Sequence, residues 1–139
     1  MAPPGRSRPR RVDQTAEFRA WLRGLDPDRQ SRVRGAIKQI AVEGPTLGRP
    51  HVDVIHGSRV HKLKEARVDQ SIRVLFAFDS NRNPVMLVGS DKAGKWNRWY
   101  PPMIRLAERL YLDHERKIGK EGRCLIQRAA GRTTSQMSR

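Results

Sequence analysis

Three cations in this chain stand where a sheet would gather them. Residues 72–79 alternate so that Ile72, Val74, Phe76 and Phe78 share one face of a strand. Arg73 then lies on the other face, beside Leu75 and Ala77. In the segment before it, Lys62 and Lys64 share a face by the same period. If the two strands pair in register, Lys62, Lys64 and Arg73 converge on one side of the sheet, and helices cover the other. Such a face suits a phosphodiester. The 2′-hydroxyl of RNA attacks its own phosphate once a group removes its proton. Cations must steady the phosphoryl oxygens, and the leaving oxygen must be helped away. A lysine crowded by other cations can take the proton, because like charge lowers its pKa. The bland alternative is a solvated sheet face.

A second cluster runs from Gly89 to Tyr100. There Lys92, Lys95 and Arg98 interleave with Trp96, Trp99 and Tyr100. Cations among aromatics offer phosphate contact and base stacking together. The alternative is that Trp99 and a neighbour pack the final helix on the sheet. His51, His56 and His61 recur at intervals of five, which is not metal-ligand spacing, and His114 reads as a packing residue. The one cysteine, Cys124, excludes an internal disulfide and a cysteine-based zinc site. No metal site and no cofactor are expected. No carboxylate pair, phosphate-binding glycine loop or nucleophile elbow appears.

The elements that must position these residues follow from hydrophobic period. Phe18, Trp21, Leu22 and Leu25 form one helical stripe over Gln14 to Gly24, with Asp13 as its cap. Asp26–Pro27 opens a second helix carrying Val33, Ile37, Ile40 and Ala41, and Gly44–Pro45 stops it. The period then falls to two. Val52 to His56, Arg59 to Arg67, Ile72 to Asp79 and Pro84 to Ser90 read as strands with short turns, hence an antiparallel meander. Arg10 to Val12 could add a short edge strand. Pro101–Pro102 opens a last helix with Ile104, Ala107, Leu110, Tyr111, His114 and Ile118 on one face, ended by Gly119 and Gly122. The fold class is α+β: two N-terminal helices and a C-terminal helix packed on a curved, mainly antiparallel sheet of about four strands.

The chain has 139 residues and a net charge of +15. That excess favours polyanions through phosphate attraction and counterion release. Residues 1–12 and 119–139 each carry +4 and read as basic flexible ends. Between them, the domain 13–118 holds +7, of which +5 falls in 59–100. No apolar run approaches the roughly 18 residues of a membrane span. A cytoplasmic location without membrane contact is expected.

Taken together, several runs form a pattern: Gly44-Pro45-Thr46-Leu47-Gly48-Arg49-Pro50, Gly57-Ser58-Arg59, Leu63-Lys64-Glu65-Ala66-Arg67, Ile72 to Asp79, and Asp91 to Tyr100. In these the chain resembles the RelE superfamily of type II toxin–antitoxin toxins, closest to the HigB-like, phage-derived Gp49-like branch. The resemblance covers about Asp13 to Ile118. Residues 1–12 depart from the family's usual first strand. The resemblance implies a metal-independent endoribonuclease that cuts mRNA on the ribosome and inhibits translation. It also implies a cognate antitoxin, a helix-turn-helix protein of HigA-like type. The implied catalytic set is Lys62, Lys64, Arg73, Lys92 and Tyr100, with Lys64 taking the proton. Arg59, Arg67, Lys95, Trp96 and Arg98 would hold RNA. The alternatives are a DNA gyrase inhibitor of the same fold and a non-catalytic nucleic-acid-binding or decayed module.

Overall fold

A computed structural model of the chain describes residues 9–56, 58, 63–91 and 96–138, with side chains placed for those up to 119 other than 96 and 97. Helix α1 (Ala16–Arg23) starts two residues later than the stripe suggests, because Thr15 rather than Asp13 is its cap. The Thr15 hydroxyl accepts from the Phe18 N–H at 3.0 Å and donates to the Leu87 carbonyl at 2.6 Å. One side chain thus ends a strand and starts a helix. Asp13 and Gln14 are that strand, β1 (Asp13–Gln14). The expected edge strand at Arg10–Val12 is displaced by a few residues. Arg10 instead donates its backbone N–H to Ala41 of the second helix.

Helix α2 (Pro27–Glu43) begins as expected, with the Asp26 carboxylate accepting from the Arg29 N–H at 2.8 Å. Gly44, at φ 72°, ends it in a backbone conformation that favours glycine. A 3₁₀ turn (Gly44–Thr46) leads to β2 (Val52–Val54), β3 (Lys64–Arg67), β4 (Arg73–Phe78) and β5 (Pro84–Ser90). These four form the expected antiparallel meander. The sheet has five strands in the order β1-β5-β4-β3-β2, since β1 joins β5 in parallel.

The sheet is buried on both faces, which corrects the expectation of one open face. Val74, Phe76, Phe78 and Met86 pack against Phe18, Leu22, Val33, Ile37 and Ile40 of α1 and α2. Leu75, Ala77, Val85, Leu87 and Val88 pack under Ala107 and Tyr111 of α3 (Trp96–Ser138). The reason is chemical: Leu75 and Ala77 are as apolar as their neighbours, and both are fully buried. A register shift between Leu75 and Phe76 lets Leu87 and Val88 both join the α3 side.

Helix α3 starts at Trp96, five residues before the expected Pro101, and continues past Gly119 and Gly122 to Ser138. Pro101 and Pro102 lie inside it as its sixth and seventh residues, where each gives up one i→i−4 backbone bond without ending the helix. Each glycine costs only about 1 kcal/mol in a helix, too little to stop one alone.

Gly89 lies where β5 passes under α1. A Cβ there would come within 2.3 Å of the Trp21 indole. That ring is held by its Nε1–H donating to Asp91 at 3.2 Å. Gly89→Ala is therefore expected to cost about 1–3 kcal/mol through overpacking. Urea unfolding should show a lower midpoint at unchanged slope.

Candidate functional site

Strand register decides which cations meet. Across β3 and β4, Glu65 pairs with Leu75 and Arg67 with Arg73, while Lys64 pairs with Phe76. Residues paired this way share a face. Glu65, Arg67 and Arg73 therefore face α3, and Lys64 faces α1 and α2. The expected convergence of Lys64 with Arg73 does not occur. Lys64 Nζ donates to the Pro45 carbonyl at 3.2 Å and stands 5.3 Å from the Phe78 ring centre. Partial burial there pushes its pKa below the ordinary lysine value. Arg59, Lys62, Lys92 and Lys95 lie outside the described residues. Trp96 is described as the first residue of α3 only.

Arg67, Arg73 and Tyr100 do come together, around Glu65, which the charge pattern alone does not single out. Glu65 is buried, with its side chain 5% exposed. Its Oε1 accepts from Arg67 Nε at 3.1 Å and from Arg73 Nη1 at 3.2 Å. Its Oε2 accepts from the Tyr100 hydroxyl. Arg67 and Arg73 sit directly opposite each other, a repulsive pairing that the carboxylate between them offsets. On the far side, Arg73 pairs in register with the buried Ser90 of β5. Tyr100 is delivered by the first turn of α3, its ring edge-on to Trp99 with centroids 5.1 Å apart. Arg98 is exposed on the same helix. The one sequence signal for Glu65 is an acid at an otherwise apolar strand position, two residues before an arginine.

The arrangement has the parts for phosphoryl chemistry. Two guanidiniums can bind a phosphate's oxygens. One carboxylate can accept a proton, and one phenol can orient that carboxylate or donate in turn.

At the opposite end of β4, His114 of α3 meets two carboxylates. Its Nε2 lies 2.9 Å from Asp79 and 3.7 Å from Asp13. The other Asp79 oxygen accepts from the backbone N–H groups of Asn81 and Asn83. His114 thus ties α3 to β1 and the β4–β5 turn rather than serving in apolar packing alone. Among the described residues these three form the one group able to hold a metal ion. Nearby, burial pushes the Tyr111 phenol up to about 12, helped by Glu115. Among the described residues no helix is long and apolar enough to cross a membrane.

The family model described as "Phage derived protein Gp49-like" matches residues 20–112, a stretch that holds Glu65, Arg67, Arg73 and Tyr100. The chain belongs to the phage-derived Gp49-like family. Two relatives in Mycobacterium tuberculosis fall in the HigB-like branch that the sequence motifs indicate. "Putative toxin HigB3" is 48% identical over 63% of this chain and 78% of its own length. "Putative toxin HigB2" is 41% identical over 68% of this chain, which spans 49% of that relative. A chain of the M. tuberculosis RelBE2 toxin–antitoxin complex superposes at a TM-score of 0.45 and 18% identity, covering 60% of this chain and 99% of that one. A likeness so distant bears no weight.

The half-buried placement of Lys64 carries a pH signature. A lysine with a lowered pKa in the folded state binds fewer protons there than when unfolded. Stability then rises with pH between the lowered value and the ordinary 10.5, and below both the cost of charging is fully present. Relative to Lys64→Met, the wild type is expected to gain stability as pH climbs toward 10.5. Unfolding free energies of both proteins across that range check it.

Proposed function

We propose that this member of the Gp49-like family is the toxin of a type II toxin–antitoxin pair, and that it cuts mRNA on the ribosome by metal-independent transesterification. The carrying observation is Glu65, a buried carboxylate flanked by two arginines and a tyrosine on one sheet face. In this reading the Glu65 carboxylate removes the 2′-hydroxyl proton, and the freed oxygen attacks the adjacent phosphorus. Arg73 and Arg67 turn from Glu65 to the phosphoryl oxygens as charge builds there. The bond to the 5′-oxygen breaks, leaving a 2′,3′-cyclic phosphate and a 5′-hydroxyl. Tyr100 orients Glu65, and as α3 shifts it can supply the leaving oxygen's proton. Lys62 and Lys92 remain proposed contributors of positive charge, and Arg59, Lys95, Trp96 and Arg98 proposed RNA contacts. Lys64 takes a supporting place under Pro45 in this scheme, rather than acting as the base. The proposed partners are the ribosome, mRNA and a helix-turn-helix antitoxin, in the cytoplasm.

Support comes from the two relatives, both named as toxins, and from the match of chemistry to need: a base, two fixed cations and no demand for a metal. Loss of a general base typically costs about 10²–10⁴ in rate. Glu65→Gln and Arg73→Ala should each abolish growth arrest on expression while keeping native circular dichroism, and Lys64→Met should retain it. Mapping 5′ ends of cellular mRNA after brief induction should reveal codon-positioned cuts that require translation. Arrest persisting in a folded Arg73→Ala variant would remove Arg73 from the mechanism. Intact mRNA with DNA damage would replace the whole reading by gyrase inhibition.

A further inference from the structure

Apart from Arg98 at its start, the face of α3 turned away from the sheet has no place in the function proposed above. Its inner face carries Met103, Ile104, Ala107, Leu110 and Tyr111, packed on β4 and β5. On its outer face Arg98, Arg105, Arg109 and Arg116 are all exposed. At 100° per residue, positions 98, 105, 109 and 116 fall within about 20° of one line and span about 27 Å. The helix therefore bears a straight row of four guanidiniums.

Among the described residues, the acids of the same helix do not neutralise that row. Glu108 accepts from the Ser58 hydroxyl at 2.8 Å, and Glu115 accepts from the Ser80 backbone N–H at 2.9 Å. Both are drawn toward the sheet. Of these residues only Asp113 pairs with the row, at 3.2 Å from Arg116, and a pair so exposed contributes little. Among the described residues Arg98, Arg105 and Arg109 form no ion pair.

We infer that this outer face of α3 is a docking surface for the phosphate backbone of double-stranded RNA. Charge complementarity selects a polyanion, and a rigid row of cations suits a duplex, whose phosphates are themselves held at fixed positions. Single strands are bound on aromatic platforms, and the exposed apolar residues here are Pro101, Pro102 and Leu112, which offer no stacking plane. The aromatics, Trp99 and Tyr100, lie on the inner side near Glu65. The helix thus separates two tasks, with the single-stranded substrate at its first turn and a structured RNA along its back. The inference rests on the RNA-directed reading above and deepens it: the structured RNA is of the kind ribosomes present.

The test compares the full-length wild type with Arg105→Gln/Arg109→Gln/Arg116→Gln and with the triple lysine variant at the same positions. The probes are a blunt RNA duplex of about 20 base pairs and a single strand of one of its sequences, at several salt concentrations. For the glutamine variant the salt slope of duplex binding should fall by about 2–3, from the loss of three phosphate contacts. The slope for the single strand should change less. The lysine variant should keep the wild-type slope, which separates charge from folding. An unchanged duplex slope in the glutamine variant overturns the inference, as do equal losses on both probes or absence of duplex binding by the wild type. Loss of duplex binding in the glutamine variant, together with uncut mRNA in cells expressing wild type, would uphold the surface and sink the nuclease reading instead.

Discussion

A carboxylate enclosed between a sheet and a helix must be met by donors, or its burial is prohibitive. Glu65 is met by three, from β3 itself, from β4 and from α3. Much of the molecule is arranged around that requirement. The β3–β4 register brings Arg67 and Arg73 to its sides. The first turn of α3, ahead of two prolines, brings Tyr100 down on it. The apolar contacts of Leu75, Leu87, Val88 and Ala107 then hold α3 in place. Remove the carboxylate and two arginines face each other across adjacent strands with nothing between them. Offer a phosphate and the same arginines have another anion to bind. The interaction that completes the fold is also the one a substrate competes with.

Most of the architecture was legible in the chain, because hydrophobic period and cap chemistry act locally. Asp26–Pro27 opens α2 where expected, Pro84 to Ser90 forms β5 as read, and Ile72, Val74, Phe76 and Phe78 share the core face with α1 and α2. The failures have a common cause in long-range contacts. Thr15 displaces Asp13 as a cap because its hydroxyl also reaches Leu87, a partner no local pattern reveals. Arg73 by itself suggests that the second sheet face is open, although Leu75 and Ala77 beside it require a cover.

The site was half legible for a related reason. Arg67, Arg73 and Tyr100 are of the right types and do assemble. Period-two alternation along its own strand sets Lys64 with them. Alternation within a strand cannot say which of its faces meets which face of the next; the hairpin's pairing does that, and a shift of one residue exchanges the two sides. Glu65 is hard to single out in the sequence because an acid among basic residues weakens a charge pattern. It is visible only once burial shows how little solvent it has.

The parallel pairing of β1 with β5 bears on how the chain comes to be folded. Asp13 pairs with Val85, and Thr15 bonds Leu87 across 72 positions. The meander strands instead meet across short turns. Closing so long a loop carries a larger entropic cost than closing a hairpin, and distant contacts form slowly. During synthesis the amino-terminal strand must wait, unpaired, until more than half of the chain has followed it out. The first strand to be made is thus the one whose pairing closes the longest loop in the sheet.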